Sequence, residues 1–500
     1  MSAGQHIPLG QAIPDSLHAV SVSIPTMADV IGYEEKRPAT IQKLKAGYPR
    51  FVLHTCLREI EAHWKRLFDT PEHSIWLTSS ESMAKRLQNH LAPAPSKLVK
   101  HRGVSGLRIP TDADLDQKAK SYLQHVGGFL SGRQAEDYLV AEGLRDAAEP
   151  EPLFAGEDAA AAILETLSPL LDTETSSIVL SNTGMNAFFA AFEAVRSIQS
   201  PRGRSSWIKI GWLYTDTMHI LDKLSGHDAA NVELLDIFDL DQLEQALLER
   251  GDRIAGIVTE APTNPLIQTM DLERIRKLAT QHGVYLLVDP TVASPANVNV
   301  EPYSDIIINS LTKYAGNEGD VMLGAVAVTD QCPDKDAILN FIKNDVEPPY
   351  ARDLARIAYQ LPAYAELVGT VNQNTAEVVA FLKSHPKVKA VHWAKEKRSR
   401  SNFQKIARHP DAIGGLISFE VKADFGAFYD ATPLPKGPSF GMKSTLLCPY
   451  IFLAHYSLVN TEEGLKTLEK AGITPELMRL AVGDEPVSEI ISALKQGLDS

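Results

Sequence analysis

Lys313 is the residue with the clearest chemical potential in this sequence. It follows the apolar run Asp305-Ile-Ile-Ile-Asn309 and the short segment Ser310-Leu-Thr. A run of that kind is typical of a buried strand, so the lysine is expected just beyond a strand end. An amine held there can form an imine with a carbonyl group or serve as a base. A lone lysine in this position is more often a surface charge, and the assignment therefore depends on its companions.

Asp289 is a second candidate site residue, because it follows another apolar run, residues 284–288. An aspartate after a buried strand often caps a helix. Paired with Lys313, however, it meets the two needs of pyridoxal phosphate (PLP). The cofactor aldehyde requires a lysine amine, and the pyridine nitrogen requires a carboxylate that keeps it protonated. We therefore predict a PLP site in which Lys313 forms the Schiff base and Asp289 faces the ring nitrogen.

The rest of the cofactor also has candidate ligands. Gly184 and Met185 open a helix after a strand, so their N–H groups are expected to meet the phosphate at the positive helix end. Ser310 and Thr312 add hydroxyl groups. Tyr214 follows another strand and offers a stacking face for the ring. A core aromatic is the main rival interpretation of Tyr214.

The elements that must position these residues alternate between strands and helices from about residue 150 to 330. Short apolar strands between helices indicate an α/β fold with a mostly parallel sheet covered on both faces, which binds ligands at the carboxyl ends of its strands. The predicted strands are 177–181, 207–213, 232–237, 254–259, 284–288, 305–309 and 322–328. The predicted helices are 186–197, 239–250 and 271–282.

The chain of 500 residues is too long for one compact core, and three parts are predicted. Residues 1–130 form an N-terminal extension, residues 131–345 a large PLP-binding domain, and residues 346–500 a smaller α+β domain. The last part begins with a long helical stretch, 350–383. In the extension, residues 20–24 alternate like a strand, residues 51–68 have helical spacing, and residues 74–91 predict a strand followed by a helix.

Composition excludes several classes of protein. The formal net charge of −14 argues against nucleic acid or an anionic membrane as the partner. No apolar stretch reaches the length of a membrane span, and no secretory signal pattern opens the chain. Three cysteines without CxxC spacing indicate a reducing compartment, so a cytoplasmic protein is expected. The histidines lack metal-ligand spacing, and no metal is predicted. His219 lies near Tyr214 in sequence and is interpreted as a structural histidine.

Three longer runs carry a resemblance to a known family. They are Glu260-Ala-Pro-Thr-Asn-Pro265, Val288-Asp-Pro-Thr-Val-Ala-Ser-Pro295 and Asn309-Ser-Leu-Thr-Lys-Tyr-Ala-Gly316. In order and approximate spacing they resemble the PLP-dependent enzymes of cysteine and methionine metabolism, the cystathionine γ-synthase group. The resemblance extends from about residue 120 to the end. The earlier run Gly47-Tyr-Pro-Arg-Phe51 resembles the extended fungal branch of that group.

The resemblance implies a fold-type I, aminotransferase-like transferase that assembles as a homotetramer of two dimers, with active sites at the dimer interface. Lys313 would also move protons at Cα and Cβ of the substrate. The implied partners are a small amino-acid substrate and a nucleophile co-substrate. Further roles are implied for residues that bind cofactor or substrate: Asn264 on the ring hydroxyl, Tyr214 as ring stacker and acid or base, Arg479 as the carboxylate clamp, Ser439 beside that carboxylate, and Arg133 on a neighbouring subunit's PLP phosphate.

Several positions depart from the family pattern. Ser131 stands where the family has a tyrosine two places before the phosphate arginine, and Pro290 replaces an asparagine after the ring aspartate. Asn317 and Glu318 replace a Gly-His pair. Pro438 replaces a glutamate that many members handling cysteine or cystathionine carry, which leaves the second substrate open.

The expected reaction is γ-replacement on O-acetyl- or O-succinyl-L-homoserine. Cysteine as the nucleophile would give cystathionine, a transsulfuration step, and sulfide would give homocysteine. An enolisable ketone or β-keto acid would instead form a C–C bond in a biosynthetic pathway. A γ-lyase would release a 2-oxo acid and ammonia. A catalytically inactive binding or assembly paralogue is the alternative from another class, and the intact set of Asp289, Lys313 and Arg479 argues against it.

Overall fold

The computed structural model describes residues 6–48, 52–226 and 228–500. Positions 49–51 of the Gly47–Phe51 run therefore lie outside the described residues. The strands are β1 Ala12–Ile13, β2 Ser21–Val22, β3 His73–Thr78, β4 Lys97–His101, β5 Val104–Pro110, β6 Ile178–Ser181, β7 Ser206–Ile210, β8 Val232–Leu234, β9 Ile254–Glu260, β10 Tyr285–Asp289, β11 Ile306–Ser310, β12 Gly324–Val328, β13 Val388–His392, β14 Leu416–Val421, β15 Leu446–Pro449 and β16 Met478–Ala481.

The helices include several with side-chain caps at their N-termini, and their bounds are as follows. They are α1 Met27–Glu34, α2 Pro38–Ile41, α3 Thr55–Leu67, α4 Glu81–Leu91, α5 Ala113–His125, α6 Gly132–Ala141, α7 Ala159–Leu171, α8 Gly184–Gln199, α9 Thr215–Leu224, α10 Leu240–Arg250, α11 Leu272–His282, α12 Lys335–Asp345, α13 Ala351–Gln360, α14 Tyr364–Ser384, α15 Arg400–Ile406, α16 Phe425–Ala431, α17 Tyr450–Ala454, α18 Tyr456–Val459, α19 Glu462–Lys470 and α20 Val487–Asp499.

A seven-stranded sheet forms the centre of the molecule, in the order β6-β12-β11-β10-β9-β7-β8. Only β12 runs antiparallel to its neighbours, β11 and β6. Strands β9, β10 and β11 are buried along almost their whole length, which is why their sequences read as continuous apolar runs. The predicted α/β fold with a mostly parallel sheet is confirmed. Because the parallel strands end at one edge, the residues that follow them converge there.

Most predicted elements of this part agree with the structure within a few residues. The predicted strand 232–237 is shorter, since β8 ends at Leu234. The long helical stretch predicted at 350–383 is two helices, α13 and α14, separated by a short 3₁₀ turn that contains Pro362. Proline lacks the N–H that a continuous helix would need there.

The C-terminal part carries a smaller sheet, in the order β13-β14-β16-β15, in which all strands are antiparallel. Strand β16 lies between β14 and β15 and contains Arg479. Strands β15 and β16 were not predicted, because each is four residues long and holds a charged residue or a proline. This sheet places Arg479 opposite the carboxyl edge of the central sheet.

The N-terminal part contains a three-stranded antiparallel sheet, β3-β5-β4, flanked by helices α3 to α6. The predicted strand at 20–24 is only the two-residue β2, paired with β1. The residues of this part pack into three cores that they share with the rest of the chain, and Ile7 and Ile13 belong to the largest of them. Trp64 and Leu107 belong to the core that holds Phe192, whereas Val22 and Ile24 belong to the core of the smaller sheet. The domain boundaries after residues 130 and 345 stay a prediction.

None of the helices in the described ranges combines the length and the apolar composition needed to cross a membrane.

Candidate active site

A cavity with about 1000 Å³ of empty volume lies at the carboxyl edge of the central sheet. Its walls come from the ends of β9, β10 and β11, the first turn of α8, the loop before β15, and β16. The structure brings most of the predicted site residues together here. They are Gly184, Met185, Tyr214, Asn264, Asp289, Ser310, Lys313, Ser439 and Arg479.

The ε-amine of Lys313 lies inside this cavity, three residues beyond β11. Nζ donates to the hydroxyl of Tyr48 and to Ser439 Oγ, the latter at 3.3 Å. It also lies 4.4 Å from the centre of the Tyr48 ring and 5.0 Å from that of Phe440. Burial, reinforced by the positive charge of Arg479, lowers the pKa of Lys313 to about 7. Much of the amine is therefore neutral near pH 7, as a nucleophile or base must be.

Two carboxylates stand side by side at the edge of the sheet. Asp289 ends β10 and is directly opposite Glu260, which ends β9. Burial raises the pKa of Asp289 to about 6, although its Oδ1 accepts the backbone N–H of Thr291 at 2.8 Å. Burial and the charge of Asp289 raise the pKa of Glu260 well above its usual range. A cationic ring nitrogen beside Asp289 would oppose this rise in pKa and favour the ionised carboxylate.

Glu260 also fixes the position of Tyr214. The Glu260 Oε1 atom accepts the backbone N–H of Tyr214 at the start of α9. This contact holds Tyr214 at the wall of the cavity, in line with the predicted role as a stacking residue. Its ring position relative to a bound cofactor stays a prediction.

The first turn of α8 approaches the end of β11 unusually closely. A Cβ atom on Gly184 would lie 2.9 Å from Ser310 Cβ, so only glycine allows this approach. Thr183 caps the helix by accepting the N–H of Asn186 at 3.1 Å. The N–H groups of Gly184 and Met185 lie in the first turn, where the helix itself offers no acceptor, and both residues line the cavity.

Arg479 lies at the opposite wall and is 5% exposed. Its Nη1 donates to Asn264 Oδ1 at 3.3 Å and its Nη2 to the carbonyl of Ser439 at 3.1 Å. Nε has no hydrogen-bond partner among the described residues. A buried guanidinium with a spare donor is suited to a carboxylate, which it would bind bidentately. Asn264 Nδ2 donates in turn to the hydroxyl of Tyr450 at 3.1 Å.

These observations fit pyridoxal phosphate. The cavity offers a buried amine of lowered pKa, a buried carboxylate of raised pKa, a glycine-lined helix N-terminus and an arginine with a spare donor. Each group suits one part of the cofactor or of an amino-acid substrate, and each is costly to bury without such a partner. Among the residues that the structure describes, no cluster of histidine, cysteine or carboxylate side chains is placed to hold a metal ion.

Two predicted site residues lie outside the cavity wall. The hydroxyl of Thr312 donates to the carbonyl of Leu323 at 3.3 Å and accepts its N–H at 3.2 Å. Arg133 is buried within its own chain, where Nη2 lies 2.6 Å from Glu151 and Nη1 lies 3.1 Å from Asp353. Contact of Arg133 with a neighbouring subunit's cofactor stays a prediction.

The positions that depart from the family pattern have local partners. Ser131 caps α6 and donates to Asp353 at 2.5 Å. Glu318 pairs with Lys443 at 2.5 Å. Pro438 lines the cavity itself, so the missing glutamate leaves an apolar surface beside the site. His219 stacks on His125 with ring centres 3.5 Å apart, outside the cavity wall.

The sequence reasoning missed several residues of the wall: Tyr48, Glu260, Thr291, Phe440, Cys448 and Tyr450. Glu260 opens the first run that carried the resemblance, and its place at the end of a strand was an available signal. Tyr48 belongs to the Gly47–Phe51 run, but nothing in the sequence indicates that it meets Lys313. Cys448 and Tyr450 flank a proline and showed no pattern.

Comparison with known proteins gives consistent matches. The profile of the Cys/Met metabolism PLP-dependent enzymes matches residues 161–499. The L-2-amino-4-chloropent-4-enoate dechlorinase/desaturase of Streptantibioticus cattleyicolor is 34% identical, over 97% of this chain and 97% of that protein. The cystathionine γ-synthase of Neurospora crassa is 28% identical, over 98% of each chain. The structure of cystathionine γ-synthase from Xanthomonas oryzae pv. oryzae in complex with cystathionine superposes with a TM-score of 0.60, at 21% identity, over 71% of this chain and 92% of that chain.

Proposed function

The chain belongs to the PLP-dependent enzymes of cysteine and methionine metabolism, and from this we propose that it cleaves a bond at Cγ of an L-amino acid that carries a leaving group there. The reference reaction is replacement of the acyl group of O-acetyl- or O-succinyl-L-homoserine by the thiol of cysteine. The observation that carries the proposal is the meeting of Lys313, Asp289 and Arg479 in one cavity.

Each of these residues has a task in that reaction. Pyridoxal phosphate, when bound, supplies an electron sink for negative charge at Cα. Arg479 holds the substrate carboxylate and so fixes which bond at Cα faces Lys313. The neutral ε-amine of Lys313 takes the Cα proton, passes that proton on to the bound cofactor and, neutral again, takes a Cβ proton before the γ group leaves. Tyr214 is the proposed proton donor to the leaving group, and Asp289 holds the charge of the ring nitrogen.

A second candidate is γ-elimination without an added nucleophile. Among the described residues that line the cavity, Arg479 is the only guanidinium, so one α-carboxylate has a clamp and a second amino acid has none. Apolar side chains also line the cavity, among them Phe188, Pro438 and Leu453. A small leaving group without a bulky co-substrate suits that space. The relative that removes chloride from an amino-acid side chain supports the same candidate.

The two candidates separate in one experiment. The holoenzyme is given O-acetyl-L-homoserine, O-succinyl-L-homoserine or L-2-amino-4-chloropent-4-enoate, each with and without cysteine, sulfide or acetoacetate, and the products are identified by mass spectrometry. An adduct that requires the nucleophile supports replacement. A 2-oxo acid with ammonia, or an unsaturated amino acid, formed equally without nucleophile supports elimination.

Lys313→Ala is the variant that tests the site, and Lys405→Ala is its matched control. Lys405 is a surface lysine paired with Asp271 and Glu273. We expect Lys313→Ala to lose the visible absorbance of the bound cofactor and all turnover, while Lys405→Ala keeps both. Turnover of no substrate by a wild-type protein that carries the cofactor would contradict the proposed function.

A further inference from the structure

A fourth, smaller core lies beside the cavity and joins parts of the chain that are far apart in sequence. Its buried members come from the residues after β7 and β9, from α17 and α19, and from the residues before β16: Trp212, Leu266, Tyr450, Ile451, Leu468, Ile473 and Leu477. Two of these elements also carry cavity residues, since Tyr450 opens α17 and Arg479 lies in β16. The packing of this core therefore affects the wall that holds the guanidinium.

Tyr450 contacts Arg479 both directly and through Asn264. Its ring centre lies 4.8 Å from the guanidinium carbon. Its hydroxyl accepts a hydrogen bond from Asn264 Nδ2 at 3.1 Å, and Asn264 Oδ1 accepts one from Arg479 Nη1 at 3.3 Å. Because a guanidinium can only donate, the amide oxygen must face Arg479 and the amide nitrogen must face Tyr450. Tyr450 therefore limits both the position of the guanidinium and the orientation of the amide that binds it.

The loop before β15 holds the other branch of the guanidinium. Arg479 Nη2 donates to the carbonyl of Ser439 at 3.1 Å. The preceding carbonyl, that of Pro438, accepts a hydrogen bond from Ser21 Oγ at 2.6 Å, which ties this loop to the N-terminal part. A backbone carbonyl thus holds Nη2, whereas a side-chain amide holds Nη1. The second contact depends on what orients the amide of Asn264.

A buried hydrogen bond just beyond α17 holds the helix that carries Tyr450. Trp212 Nε1 donates to His455 Nε2 at 3.0 Å, and the two rings meet edge to face with their centres 5.0 Å apart. The His455 ring centre also lies 5.8 Å from that of Tyr450. Because an indole N–H can only donate, Nε2 of the histidine accepts and carries no proton. This bond joins the end of β7, in the central sheet, to α17.

We propose that Tyr450 is a positioning residue for the guanidinium of Arg479, and that the bond between Trp212 and His455 holds Tyr450 in place. The inference rests on the proposed role of Arg479 as the clamp for the substrate carboxylate. An arginine side chain has many rotamers, and a bidentate bond to a carboxylate needs one of them. Contacts that select this rotamer before the substrate arrives reduce the entropy lost on binding.

The first measurement compares two ligands of the holoenzyme that differ by a carboxylate. L-Norvaline carries the α-amine and the α-carboxylate, n-butylamine carries the amine alone, and neither has a leaving group at Cγ. Their dissociation constants are read from the change in the visible absorbance of the bound cofactor. We expect Tyr450→Phe to raise the constant for L-norvaline about tenfold and the constant for n-butylamine less than about twofold.

Tyr364→Phe is the matched control. Tyr364 is buried like Tyr450, and its hydroxyl is hydrogen-bonded to Ser294 Oγ at 2.7 Å, but it lies outside the cavity wall. It loses a buried hydroxyl of the same kind and should bind both ligands as the wild type does. Equal rises for L-norvaline and n-butylamine in Tyr450→Phe would overturn the proposal, because they would show a general loss of structure. A constant for L-norvaline equal to that of Tyr364→Phe would overturn it as well.

The second measurement is a double-mutant cycle with Arg479→Lys, read with L-norvaline. A residue that acts through the guanidinium has little effect once the guanidinium is absent. We expect Tyr450→Phe to raise the dissociation constant less than about threefold in the Arg479→Lys background, against about tenfold in the wild type. Effects of the two substitutions that simply add would contradict the proposal.

Three variants test the bond between Trp212 and His455. His455→Leu removes the acceptor and Trp212→Phe removes the donor, and we expect each to raise the constant for L-norvaline about fivefold with that for n-butylamine unchanged. His455→Gln supplies an amide oxygen near the position of Nε2 and should stay within about twofold of the wild type. Should Tyr450→Phe fail to fold, these variants test the proposal in its place. Equal constants for His455→Leu and His455→Gln would overturn the role of the bond.

Arg479→Lys alone separates this inference from the role on which it rests. If the variant binds L-norvaline as tightly as the wild type, Arg479 is not the carboxylate clamp and that part of the proposed function fails. If Arg479→Lys weakens binding of L-norvaline but Tyr450→Phe does not, only the role of Tyr450 fails. Both results are equilibrium measurements with an unreactive ligand, so they do not depend on which substrate the enzyme turns over.

Discussion

Burial, rather than any ion pair, sets the charge states of the cavity residues. Desolvation is the largest cause of the pKa shifts at Lys313, Asp289 and Glu260. It favours a neutral amine and a protonated carboxyl in the cofactor-free chain, whereas a carboxyl that faces a cationic ring nitrogen must be ionised. The positive charge that would ionise Asp289 is therefore expected to come from the cofactor ring.

Arg479 is expected to be sensitive to a conservative change. Lysine retains the charge but offers no fork for a carboxylate and cannot span Asn264 and Ser439 at once. We expect Arg479→Lys to lower kcat/KM by about 100-fold or more, mainly through KM. Steady-state kinetics on the amino-acid substrate measure this effect. Arg408→Lys, at a partly exposed arginine bonded to the carbonyl of Pro295 at 2.7 Å, is the control and should stay within about twofold.

Asp289 is expected to lower the free energy of unfolding of the cofactor-free chain, although cofactor binding requires it. Its pKa rises from 3.8 in the unfolded chain to about 6 in the folded one. Between these values the unfolded chain binds fewer protons, so the free energy of unfolding falls as pH rises from about 4 to about 6. We expect Asp289→Asn, which carries no charge, to be more stable than the cofactor-free wild type by about 2–4 kcal/mol above pH 6.5 and equal to it below about pH 3.5.

Urea unfolding of both cofactor-free proteins across this pH range measures the difference. The same variant should bind pyridoxal phosphate far more weakly, as read by absorbance on titration. A stability difference that does not change with pH would show that Asp289 is not buried in the way described.

Cavity residues that directly follow a strand could be predicted from the sequence. Cavity residues that come from a distant part of the chain could not. Asp289 and Lys313 are visible because an apolar run ends just before each. Tyr48 is not visible, since its contact with Lys313 joins positions 265 residues apart. A pattern within a window of the sequence carries no information about such a pairing.

At the scale of elements, the junction of α8 with β11 determines how a phosphate is received. Gly184→Ala would place a Cβ 2.9 Å from Ser310 Cβ and push the helix end away from the strand. We expect this variant to weaken pyridoxal phosphate binding at least tenfold, because the N–H groups at the helix end would no longer point at the phosphate. Equilibrium titration of the cofactor-free protein measures the affinity.

Gly369→Ala is the matched control. Gly369 lies in α14, and a Cβ there would meet no atom within 4 Å. Alanine favours helix over glycine by about 0.8–1 kcal/mol, so this variant should be slightly more stable and bind the cofactor normally. Equal losses of affinity in both glycine variants would contradict the argument from the α8 junction.

Element prediction succeeded where runs were long and buried and failed where they were short. The strands of the central sheet were predicted from apolar runs of about five residues. Strands β15 and β16 were not predicted, since β15 ends at Pro449 and Arg479 interrupts the apolar run of β16. The charge of Arg479 thus interrupts the apolar pattern by which its strand could have been predicted.

At the scale of the whole molecule, the N-terminal residues are part of the main cores. Ile24 is fully buried in the core of the smaller sheet, beside residues such as Phe419. We expect Ile24→Ala to lower the free energy of unfolding by about 2–5 kcal/mol, as for other large-to-small core changes. Leu67→Ala, at a side chain 44% exposed, should change it by less than about 0.5 kcal/mol. Urea unfolding at fixed protein concentration compares the two.

The bond between Ser21 and Pro438 joins positions 417 residues apart, and this has a consequence for synthesis on the ribosome. Tyr48 emerges early, but Lys313, Pro438 and Arg479 emerge much later. Domains generally fold from the N-terminus as they are synthesised. The segment that holds Ser21 and Tyr48 is therefore made before the residues that it contacts. Nascent chains that end before Arg479 should therefore lack activity altogether.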